Sequence, residues 1–119
     1  MDKVNLAEKF ALIHDHWNPR IAADLNCQQV KLVKFQGEFV WHDHKDEDEM
    51  FLVYKGSFRM DFRDHSVTVN QGEFIVVPRG VEHRPYAEHE VEVLLFEPAV
   101  IKHTGDVVAD VTKQYLERI

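Results

Sequence analysis

Four side chains in this sequence stand at spacings that could close around one metal ion. His42 and His44 flank a single residue, Glu49 follows shortly after, and His83 lies in a second, distant run. Residues two apart in an extended strand point the same way, so His42 and His44 present their rings to one side. Glu49 shares the parity of Phe51 and Val53, and if those face an interior the carboxylate does too. Three imidazoles and a carboxylate leave coordination positions open to water or substrate. Such a donor set suits one divalent transition metal (Fe, Mn, Ni, Co or Zn) and does not choose among them.

The elements that must position these groups follow from the runs around them. The first reads Gly37-Glu-Phe-Val-Trp-His42-Asp-His44-Lys-Asp-Glu-Asp-Glu49, the second Gly72-Glu-Phe-Ile-Val-Val-Pro78-Arg-Gly80-Val-Glu-His83. A strand over Phe74 to Val77, reading as continuously buried, ends at the Pro78-Arg-Gly80 corner and brings His83 back beside the first run. Gly72 and Gly80 suit turn positions of positive φ, and proline sets its own φ at the strand end. Between the runs, Ser57 to Phe62 alternates. Phe58, Met60 and Phe62 are expected inside, with Arg59, Asp61 and Arg63 in water. Val91 to Phe96 is the last strong strand. Short strands separated by turn signals, without βαβ alternation, predict an antiparallel sandwich or barrel. Leu6, Phe10, Ile13 and Trp17 are spaced at helical intervals up to Asn18-Pro19, as a short amphipathic helix or a packed arm, and Val108, Val111, Tyr115 and Ile119 roughly as one face of a second short helix.

The two runs resemble the paired motifs of the cupin family: Gly37-x4-His42-x-His44-x4-Glu49-x6-Gly56, then Gly72-x5-Pro78-x-Gly80-x2-His83. The resemblance implies an all-β fold, an antiparallel double-stranded β-helix (jelly-roll or cupin barrel) with short N- and C-terminal helical or arm segments. It assigns metal ligation to His42, His44, Glu49 and His83. It also implies a small single-domain protein over residues 1–119, with an arm at about 1–26, the barrel at 27–98 and a tail at 99–119. One departure is visible: Ala87 stands where the second motif often closes with Asn. Small cupins are commonly paired, so a homodimer is expected, with a small-molecule ligand in the barrel.

Composition bounds the partners. A net charge of -7, from 21 acidic residues against 14 Lys and Arg, argues against nucleic acid, which requires a basic stripe. No apolar run approaches the ~18 residues of a membrane span, and the N-terminus lacks a secretory pattern, so a cytoplasmic protein is expected. Cys27 is the lone cysteine, which excludes an intrachain disulfide. Asp43 has the wrong parity to be a ligand, and Asp46, Glu47 and Asp48 read as a solvated loop. His14, His16, His65, His89 and His103 lack partners at ligand spacing. Arg79 and Arg84 read as surface charge beside a turn. Trp41, Met50, Leu52 and Tyr54 form an apolar outer face, to be covered by the N-terminal segment or a second subunit.

Phe35, Phe51, Val53, Phe58 and Phe96 are the expected cavity wall. The leading functional expectation is a small, oxygenase-like metalloenzyme acting on a small organic molecule, although no separate general base is identified and the catalytic residues are unassigned. The alternative is a non-catalytic sensor or carrier. A sugar isomerase or epimerase ranks third, because Arg59 and Arg63 point outward and the expected mouth is acidic.

Overall fold

The structure, a computed structural model, describes residues 1–99 and 116–119. The expected tail helix falls mainly on 100–115, outside the described residues, as does His103. A short helix α1 (Leu6–Phe10) precedes seven strands: β1 (Arg20–Leu25), β2 (Gln28–Glu38), β3 (Glu49–Lys55), β4 (Ser57–Phe62), β5 (Ser66–Asn70), β6 (Phe74–Val77) and β7 (His83–Pro98). They pair in the order β1-β2-β7-β3-β6, and β4 pairs with both β5 and β7; all these pairings are antiparallel.

β7 makes this a barrel. Its first residues, His83–Tyr86, pair with β4, and from Val91 onward it runs between β2 and β3. A register shift against β2 between Phe35 and Gly37 marks the bend, the effect expected of a bulge. Val91, Val93 and Leu95 then face the interior, packed with Val33, Phe35, Phe51, Val53, Phe58 and Met60. Gly72 and Gly80 adopt φ of 82° and 77°, as the turn positions require.

Several expectations change. The N-terminal helix is confined to α1, which ends well before Trp17. Trp17 sits instead at φ 60°, held by its backbone N–H on the Lys34 carbonyl and its indole N–H on the Gln36 carbonyl. The stretch expected as an arm contributes β1, because Leu25 and Gln28 close a hairpin onto β2. Phe74 to Val77 is an edge strand rather than a buried one: Phe74 and Val76 are exposed and only Val77 is buried. Phe96 points out, since Leu95 and Glu97 on either side of it face in. Asp61 is buried because Arg59, Ser66 and Arg84 fold over it.

The outer apolar face is covered in pieces. Phe10 and Ile13 pack on Leu32, Tyr54 and Leu94, with the Phe10 and Tyr54 rings stacked 5.3 Å apart. Trp41 lies under the guanidinium groups of Arg63 and Arg84, at 3.9 and 4.8 Å from its ring centroid.

Candidate metal centre

His42 and His44 lie between β2 and β3 in an extended segment. His42 is anchored by a two-way backbone bridge to His83: its N–H donates to the His83 carbonyl at 3.1 Å, and the His83 N–H returns the bond at 2.9 Å. The rings of these directly opposed residues sit 4.3 Å apart. The His44 carbonyl accepts from the Gly80 N–H at 2.8 Å, so the second glycine corner is tied to the first run. Asp48 adds another tie, its carboxylate accepting from the Arg79 N–H at 2.8 Å. That residue, expected only to be solvated, joins the two runs. Glu49 opens β3 and faces inward.

The four side chains meet. His42, His44, Glu49 and His83 are all buried, and one ligand atom from each lies within 4.8 Å of the others. Their hydrogen bonds fix which atom is offered. A carbonyl can only accept, so His42 Nδ1 donates to Val40 at 2.9 Å and His83 Nδ1 to Val81 at 2.8 Å. Both rings therefore carry their proton on the outer nitrogen and turn a bare Nε2 inward, the arrangement that orients metal-bound histidines. Burial, then the neighbouring His83 ring, lowers the His42 pKa to about 4, so this imidazole is neutral near pH 7, as a ligand must be.

His44 Nε2, His83 Nε2 and Glu49 Oε1 are buried without a hydrogen-bond partner. The Glu49 oxygen is 3.4 Å from His44 Nε2 and 3.6 Å from His83 Nε2. Buried polar atoms are nearly always partnered, and each orphan costs on the order of 1–3 kcal/mol. A cation among these atoms would satisfy all three, so the donor set fits a transition metal.

Two residues of this site escaped the sequence reading. Lys31 and Glu97 are each 1% exposed, and Lys31 Nζ lies 2.7 Å from Glu97 Oε1. Glu97 stands across the β3–β7 pairing from Glu49, and its second carboxyl oxygen, Oε2, is buried without a hydrogen-bond partner among the described residues. Burial, then the neighbouring Glu49 carboxylate, raises the Glu97 pKa well above the usual carboxyl range, against the pull of Lys31. Burial also opposes the charged form of Glu49, but the Glu97 carboxyl and the adjacent His44 and His83 rings outweigh it and hold Glu49 well below that range. The signal was strand parity: Val91, Val93, Leu95 and Glu97 alternate onto one face.

Beside His42 and Glu49 opens a chamber lined by Trp17, Pro19, Val33, Phe35, Phe39, Phe51, Pro85 and Leu95. Phe35 and Phe51 are wall residues as expected, Leu95 replaces Phe96, and Trp17 is a wall the sequence did not suggest. Its indole stacks on Phe35 at 4.5 Å and on Phe39 at 4.7 Å. About 20 Å³ is open to the centre of a water-sized molecule, room for about one water.

A barrel with this donor set defines a class, and the sequence agrees: residues 30–98 match the cupin domain model, and the chain belongs to the cupin family. It is 47% identical to a cupin-2 domain containing protein from Shewanella frigidimarina NCIMB 400, whose crystal structure superposes with a TM-score of 0.79 over 80% of this chain and 93% of that one. It is 36% identical over 63 residues to the uncharacterized protein YdbB of Bacillus subtilis (strain 168), a match spanning 52% of this chain and 56% of YdbB. Hydroquinone 1,2-dioxygenase PnpCD in complex with Fe3+ shares the fold at 18% identity, with a TM-score of 0.64 over 71% of this chain and 28% of that one. Among the described residues no helix is long and apolar enough to cross a membrane.

Proposed function

We propose that His42, His44, Glu49 and His83 hold one divalent transition metal, and that the chain is a small oxygenase-like metalloenzyme acting on a small organic molecule. The observation that carries this is the convergence of His44 Nε2, His83 Nε2 and Glu49 Oε1, buried and unpartnered, on one point with His42. When bound, the metal supplies Lewis acidity, or oxygen activation if it is iron. The chain's own residues do the rest. Phe35, Phe39, Phe51 and Leu95 exclude water, and Trp17 limits what can enter.

Among the described residues, His42 and Glu49 are the only ionisable groups on the chamber wall, and both are taken up as proposed ligands. An uncharged, flat, apolar body with a metal-binding oxygen or sulfur is therefore the substrate this wall accepts. A molecule larger than water needs the Trp17 indole to shift. The Fe3+-bound dioxygenase with this fold makes iron the first metal to test. Purification without a His-tag and elemental analysis identify the native metal. Anaerobic loading with Fe(II), followed by O2 uptake against phenols, thiols and diketones, tests the reaction. Substrate-dependent uptake supports the enzyme, and inactivity with every metal and substrate favours the sensor or carrier.

That second reading has one observation of its own: among the described residues, the chamber wall carries no acid or base beyond the two proposed ligands. Sugar phosphates fit poorly, because recognising them needs cationic side chains aimed inward. Lys31, the one buried lysine among the described residues, is engaged by Glu97.

The exposed Phe74 and Val76 on the β6 edge support pairing with a second copy of the chain. Light scattering after size exclusion at micromolar concentration should give twice the 14.0 kDa chain mass; a clean monomer would contradict it. A cytoplasmic location accords with Cys27, a free and exposed thiol of the kind kept reduced there.

A further inference from the structure

Glu49, Glu97 and Lys31 stand on the inner faces of three adjacent strands, β3, β7 and β2. The pairings Met50 with Phe96 and Gln29 with Glu97 place Glu49 level with Glu97, and Lys31 diagonally beyond it. Two carboxyl groups side by side in a dry interior are unfavourable, since like-charged cross-strand neighbours repel and buried charges lose their hydration. A buried Lys–Glu pair brings little net stability over apolar residues of the same shape. The interior therefore carries three ionisable groups where packing alone calls for none, and the chain they form leads to a proposed ligand.

We propose that Lys31 and Glu97 are positioning residues: Lys31 fixes the Glu97 carboxyl, and Glu97 fixes the rotamer of Glu49 so that one oxygen faces His44 and His83. This rests on the metal-site reading given above. The spacing supports it. Lys31 Nζ holds Glu97 Oε1 at 2.7 Å, Glu97 stands across the β3–β7 pairing from Glu49 with both side chains buried, and Glu49 Oε1 stands 3.4 Å from His44 Nε2 and 3.6 Å from His83 Nε2 without a hydrogen-bond partner. A carboxylate secured on its far side keeps its near oxygen free for an ion and loses little rotamer freedom when the ion binds. Outer supports of this kind typically change metal affinity about 10- to 100-fold when removed.

The test uses Co(II), which reports both affinity, by competition with a chelator, and ligand geometry, by its visible absorption. The double variant Lys31→Met/Glu97→Leu exchanges the ion pair for apolar side chains, a replacement that folds tolerate. It should bind Co(II) about 10- to 100-fold more weakly, with an altered visible band. Glu97→Gln, whose amide can donate to Glu49 while its carbonyl accepts from Lys31, should bind within about threefold of the parent, a range well inside that loss. Glu97→Asp keeps the carboxyl but withdraws it from Glu49. It should weaken binding too, and it stands in if the double variant does not fold.

A purely structural pair would change the melting temperature of the metal-free protein and leave Co(II) affinity and spectrum untouched. Parent-like binding and spectra in both Lys31→Met/Glu97→Leu and Glu97→Asp overturn the proposal while leaving the metal site standing. Failure of the parent protein to bind Co(II) overturns the metal site, and the proposal with it.

Discussion

Two polar clusters lie on opposite sides of the strand segment around residue 42, and they are built differently. Outside, Trp41 is flanked by Arg63 and Arg84, while Arg59, Arg84 and Ser66 converge on Asp61. Charges there are matched by opposite charges: Arg63 also reaches Glu82, and Arg84 reaches Glu38. Arg84 Nε is the one buried atom there without a hydrogen bond among the described residues, and its guanidinium lies against the Trp41 ring. Inside, three buried ligand atoms face one another unpartnered. The outer cluster is paired at all but that one nitrogen and closes a surface. The inner one is unsaturated, as the proposed cation site requires. Counting satisfied partners, rather than counting charges, separates the two.

The widest separation between the clusters should come from the ligands. His42→Ala/His44→Ala should abolish metal retention by elemental analysis, while circular dichroism stays β-rich; full metal content in that variant would erase the distinction. The fold should survive because the bonds between His42 and His83 and between Gly80 and His44 are made by main-chain atoms, which alanine keeps.

Trp17→Ala comes next. Removing a buried, doubly stacked indole should cost about 3 kcal/mol in denaturant unfolding and open the chamber to added indole, seen by NMR shifts near Phe35 and Phe39. Metal content should be unchanged, which distinguishes a wall residue from a ligand.

The outer cluster should answer to acid. The Arg59 hydrogen bond, with those of Ser66 and Arg84, overcomes burial and lowers the Asp61 pKa to about 2, below the ordinary 3.8. A depressed carboxyl stabilises the fold above its unfolded value, and that stabilisation is lost as pH falls through 3.8 toward 2. Asp61→Asn should be less stable at pH 7 and show a shallower fall in melting temperature between pH 4 and 2. An unchanged acid profile would remove Asp61 from the cluster. The smallest effect is expected from Arg63→Ala. Its exposed side chain pairs with Glu82 at the surface, and exposed pairs contribute little, so the melting temperature should barely move.

Much of this contrast was legible in the chain before its fold. Spacing alone aligned His42 with His44 and singled out Glu49, because a period of two is enforced by the backbone. The glycine corners at Gly72 and Gly80 foretold the return of His83. The errors share a cause: local pattern was read where tertiary neighbours decide. Four apolar residues in β6 look buried, yet an edge strand with one covered face exposes Phe74 and Val76. Asp61 alternates outward, but two arginines from different strands roof it over. Trp17 fits a helical stripe, yet its rings of contact, Phe35 and Phe39, lie far along the chain. Lys31 and Glu97 were overlooked because charge usually signals surface, although parity placed Glu97 with Val93 and Leu95.

The central claim is that the inner atoms share one cation, and anomalous X-ray diffraction from crystals grown with Co(II) or Zn(II) tests it most directly. A single strong peak is predicted among His42, His44, Glu49 and His83, at about 2.0–2.2 Å from the imidazole nitrogens and the carboxylate oxygen. No peak there, or peaks only at the acidic surface loop around Asp46 and Glu47, would contradict the account.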